Sequence, residues 1–71
     1  MTPDFDFMEY YTTLMERIEL SVQERRKNEA FVNLAELLFY IHSLYAEKQI
    51  DKQMYYETLN FYENMHKLLL S

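Results

Sequence analysis

Cysteine, glycine and tryptophan are absent from this 71-residue sequence, and Pro3 is its only proline. Without cysteine there is no disulfide, no thiolate zinc site and no thiol nucleophile. Without glycine there is no loop of the kind that cradles phosphate, and no serine stands on the sharp turn that a nucleophile elbow requires. The chain also lacks the residues that normally punctuate hairpins, so helix is the default conformation. Basic residues are few, seven against twelve acidic ones for a net charge of −5, and they cluster only at Arg25, Arg26 and Lys27. Such a balance repels phosphate, and direct nucleic-acid binding is not expected; the basic trio is read as facing a helix C-terminus. No apolar run approaches the roughly 18 residues of a membrane span, and no basic and apolar leader follows Met1. The expectation is a cytoplasmic chain that does not use a membrane, an enzyme activity or a cofactor.

A chain of this length is one domain at most, residues 1–71, and sits at the edge of what a single core can stabilise. With disulfides and thiolate zinc excluded, the remaining aids are an unusually apolar core or self-association. Apolar residues are accordingly abundant, 49% of the chain, with seven tyrosines and five phenylalanines.

Their periodicity organises the chain. Tyr11, Met15, Ile18 and Val22 recur at helical spacing and centre near about 10° on a helical wheel with Tyr11 at zero. Ala30, Leu34, Leu37, Ile41 and Leu44 keep the rhythm but centre near about 100°. The jump places a break in "ERRKNE", with Asn28 as the residue after the first helix or as the next N-cap. Asp51 in "KQIDKQ" marks a second boundary as an N-cap. Three helices follow, about 6–26, 29–48 and 52–70, giving an all-α fold: a helical hairpin preceded by an N-terminal helix. In the opening "TPDFDFMEYY", Asp6 and Glu9 approximate a capping box, and Phe5 and Tyr10 a hydrophobic staple.

The helices differ in apolar girth. The first is amphipathic, with Phe7, Met8, Tyr11, Leu14, Met15, Ile18 and Val22 on one side and Glu9, Glu16, Gln23 and Glu24 on the other. The second carries an additional stripe, Val32, Ala35, Phe39, His42 and Ala46, beside Phe31, Leu38 and Tyr45, and only Asn33, Glu36, Ser43 and Glu47 mark a polar strip. The third holds "MYYETLNFYENMH", in which Tyr55, Leu59, Tyr62, His66 and Leu69 form one stripe and Met54, Phe61, Met65 and Leu68 another, an arc of roughly 200°. One such face should meet the second helix and the other something else, while Tyr56 falls outside both and should be exposed. A helix apolar nearly all round belongs among several neighbours. A single copy is therefore expected to leave part of the set Val32, Phe39 and Tyr62 uncovered, and the chain to form a helical-bundle homodimer.

The functional expectation is a small non-enzymatic interaction module, a regulator or inhibitor of a larger, unidentified protein, that uses an apolar and aromatic helix face. Phe39, Tyr55, Tyr56 and Tyr62 are its candidate contact residues. An alternative is an acidic inhibitor of the phage or plasmid type that presents Asp4, Asp6, Glu9, Glu16 and Glu24 in place of phosphates; Arg17, Arg25 and Arg26 interrupt that array. A weaker alternative is a carboxylate-histidine metal bundle, because Glu63 and His66 have Glu-x-x-His spacing and Glu36 offers a further carboxylate. His42 and His66 both lie on apolar stripes, which favours structural roles, and no metal is expected.

Overall fold

Helix α1 spans Phe7–Gln23, α2 Lys27–Ala46 and α3 Lys52–Leu70 in a computed structural model that describes residues 7–71, with no strand among them. The expected cap at Asp6, with Phe5, Asp4 and Pro3, lies outside the described residues.

The break between α1 and α2 falls inside "ERRKNE", but Asn28 plays neither role expected of it. Arg25 adopts a left-handed conformation, φ 58°, and Arg26 is the N-cap of α2, which places Asn28 within the first turn. The Arg25 N–H donates to the Val22 carbonyl (3.1 Å) and the Arg26 N–H to the Ser21 carbonyl (2.9 Å). Those two bonds are a Schellman motif, which satisfies carbonyls that the helix end leaves free. The end of α2 repeats it: Lys48 has φ 62°, its N–H donates to Tyr45 (3.1 Å), and the Gln49 N–H donates to Leu44 (2.8 Å). A chain without glycine thus reverses direction twice on a left-handed basic residue. At the third start Asp51 caps as expected, its carboxylate accepting from the Met54 N–H at 2.9 Å.

The inner stripe of α2 forms the axis of the core. Ala30, Leu34 and Leu37 are buried with Leu14 and Ile18 of α1 and Leu69 of α3, while Ile41 and Leu44 join Ile50 near the second turn. Among the described residues three polar ones are buried as well. Ser21 turns its hydroxyl to the Arg17 carbonyl at 2.8 Å. Thr58 donates to the Met54 carbonyl (2.9 Å), so its oxygen accepts the Tyr11 hydroxyl hydrogen across 2.6 Å and ties α3 to α1. Asn33, read from the sequence as part of the polar strip, is buried too, because the flank of α2 that it occupies is covered by its own chain.

The α3 arc finds more cover than expected. Its Tyr55, Tyr62 and His66 side meets α2, and the side expected to meet something other than α2 contributes Phe61 and Met65 to the central cluster and Met54 to the second one. Lying against both other helices, α3 covers most of its two stripes within one molecule, while Leu68 stays 55% exposed.

Candidate docking surface

Cover on α2 comes from three sides. The inner stripe holds the core. Toward α3, Phe31 meets His66 edge-on with ring centres 5.6 Å apart, and Tyr45 stacks on Tyr55 at 4.3 Å. Toward α1, the Tyr40 ring meets Tyr10 edge-on at 4.9 Å and its hydroxyl donates to the Phe7 carbonyl at 3.3 Å. The Tyr10 hydroxyl donates in turn to the Glu36 carboxylate. That hydrogen bond, then desolvation, then the charge of Glu36 raise the Tyr10 phenol above its ordinary value.

The fourth side is open. Asn28, Val32, Ala35, Phe39, His42 and Ala46 succeed one another at alternating spacings of four and three, and all are exposed. Val32 keeps 66% of its surface and Phe39 76%, whereas half-buried Tyr62 is stacked on His66. These two are the bulky side chains expected to outrun the cover that one chain can give. Between Glu29 and Glu47 the helix carries a single charged side chain, Glu36, which stands beside this face and is engaged by Tyr10. A solvent-facing helix surface that long is ordinarily charged.

The four candidate contact residues are distributed over this surface and its edge. Phe39 is at its centre. Tyr55 lies in the α2–α3 seam, where its hydroxyl shares a 2.8 Å hydrogen bond with His42 Nδ1, and Tyr62 stacks on His66 farther along at 5.8 Å between ring centres. Tyr56 is on the outer edge of α3, 52% exposed as expected, with the Lys52 ammonium 5.7 Å from its ring centre. The imidazoles serve as rungs in this aromatic seam. The pairs Phe31–His66 and His42–Tyr55 lie along the same antiparallel seam between α2 and α3.

The metal constellation does not assemble within the chain. Glu36 points to the α1 side while His66 is in the α2–α3 seam, and no three His, Cys, Asp or Glu side chains gather among the described residues. Of the acidic set, Glu9 and Glu16 are exposed on α1 and Glu24 in the turn that follows it, where Glu24 pairs with Arg26 at 2.7 Å, the same guanidinium holding Glu29 at 2.6 Å. Asp4 and Asp6 lie outside the described residues. Among those residues no helix is long and apolar enough to cross a membrane.

The class defined by this architecture is a three-helix all-α domain whose described residues leave an uncharged side of α2 exposed. No protein-family model, curated protein or solved structure matches the chain.

Proposed function

We propose that this chain is a non-enzymatic protein-protein interaction module, a regulator or inhibitor of a larger protein, that assembles as a homodimer through the outer face of α2. The supporting observation is the exposure of Val32 and Phe39 on a helix side that has lost its charges while the rest of the chain keeps a balance of −5. Leaving a phenylalanine in water forgoes about 2 kcal/mol of transfer free energy, which a partner surface recovers. Contiguous apolar patches of this kind mark association sites. With α2 occupied by self-association, the aromatic edge of α3 around Tyr56 remains for the larger protein.

Sedimentation at micromolar concentration tests the assembly. Wild type should run as a dimer and Phe39→Asp as a folded monomer, with dissociation at least about a hundredfold easier, since each dimer loses two such anchors. A helical wild type that stays monomeric throughout that range refutes the reading. Affinity capture with wild type and Tyr56→Ala in parallel tests the second surface; equal recovery of the partner removes Tyr56 from it.

A further inference from the structure

The outer stripe of α2 has an internal symmetry that selects how two copies would meet. A two-fold axis perpendicular to the helix and level with residue 37 exchanges Ala35 with Phe39, Val32 with His42 and Asn28 with Ala46, all six of them exposed. Every exchange sets a bulkier side chain against a smaller one or two of middling size together. The parallel, in-register alternative sets Phe39 on Phe39 and Ala35 on Ala35, so that a clash and a gap alternate along the seam. Close packing favours large against small across facing helix positions. Resting on the docking reading above, we infer that the occupant of this face is a second copy of this chain, with the two α2 helices antiparallel and Phe39 of each seated over Ala35 of the other.

Charge and area argue for a copy of the chain rather than a foreign protein. A basic partner would be drawn to the carboxylates of α1, not to a stripe without charge. Another molecule of net charge −5 is repelled everywhere that acids cluster, and this stripe is where it can approach. The stripe is about 30 Å long and one helix side wide, on the order of 500 Å² per copy. Two copies bury about 1,000 Å², the level that a specific association must clear. The alternating spacing of four and three suits a near-parallel helix crossing, with axes about 8–10 Å apart.

Cysteine crosslinking reads the register directly, because the natural chain has no thiol of its own. In the antiparallel seam Val32 of one copy is level with His42 of the other. Two copies of Val32 are then about 15 Å apart along the axis, beyond the roughly 7 Å that a disulfide bridges. Both residues are exposed in the single chain, so Val32→Cys and His42→Cys should keep wild-type helicity by circular dichroism. On oxidation, an equimolar mixture of the two variants should give a covalent dimer, and either variant alone at least tenfold less. Crosslinking of Val32→Cys with itself establishes a parallel seam and overturns the inference while leaving the homodimer standing. Dimers in sedimentation with no crosslink in any arm place the contact elsewhere and overturn it too. A monomer in sedimentation removes the docking reading as well, and the face then belongs to a foreign protein.

Discussion

Tyr10 joins the surface to the scaffold through a single proton. Its phenol donates to Glu36, the one charge beside the open face of α2, and that bond, the accompanying desolvation and the neighbouring negative charge all favour the protonated phenol, whose ionisation lies above 10.0. A group whose folded-state ionisation is raised in this way supports folding fully below its unfolded value, and the support is lost as pH rises through the folded value. The window is therefore alkaline, beginning above about pH 10. Ultraviolet titration should show the Tyr10 phenol ionising late in wild type, a step lost in Tyr10→Phe and moved to lower pH in Glu36→Gln. Superimposable curves for wild type and Glu36→Gln would break the assignment.

Also at this scale, polar residues inside the fold were the least legible part of the sequence. Ser21 and Thr58 belong to no apolar stripe, yet each returns its hydroxyl to a carbonyl one turn earlier and then packs as a small, nearly apolar side chain. The available signal was angular: Thr58 sits between the two apolar stripes of α3, where only a buried residue belongs. Asn33 misled in the opposite sense, since its chemistry pointed to water and its angle to α1. Tyr56 was legible as exposed because it falls outside both apolar stripes of its helix.

Among elements, α2 was the most readable and the turns the least. All five residues of its inner stripe are buried, because a run at helical spacing admits only one inward orientation. The phase jump located the first turn, yet the residue in the left-handed position was not inferable from propensity, which looks for glycine or asparagine and finds Asn28 three places beyond Arg25. The Schellman hydrogen bonds decide the matter by engaging the carbonyls of Ser21 and Val22. Arg25 and Lys48 consequently carry a steric cost of about 1–2 kcal/mol each, which glycine lacks, although glycine loses more chain entropy on folding. Arg25→Gly and Lys48→Gly should each stabilise the fold by about 0.5–1 kcal/mol in denaturant melts. A loss of stability in both would mean that side-chain contacts, such as packing of the two aliphatic stems, outweigh backbone conformation there.

At the scale of the whole molecule, a net charge of −5 accompanies an outer face of α2 on which Val32 and Phe39 are exposed, and salt separates the roles of charge and apolar contact. Screening over a Debye length of about 10 Å at 0.1 M weakens repulsion between two acidic copies but leaves apolar contact intact. Self-association should therefore tighten, about threefold or more, between 0.05 and 0.5 M sodium chloride. Dissociation on adding salt would point instead to carboxylates as the binding groups, as charge mimicry of nucleic acid requires. The surplus apolar girth inferred for the last two helices remains on both: Val32 and Phe39 are exposed on α2, and Leu68 and Leu70 at the end of α3. The third helix has two neighbours to lie against, whereas the second is enclosed on three sides and has no fourth cover.

The two connections, residues 24–26 and 47–51, are brief, so each helix docks on its successor without closing a long loop. Local topologies of this sort mature within milliseconds or less. A newly synthesised molecule would complete its own fold well before it encounters a twin at cellular dilution, and Phe39 would wait in solvent meanwhile. If the proposed dimer forms, abundance would become the rheostat: scarce molecules would present a bare ridge to whatever else can grip it, and plentiful ones would sheathe it with each other.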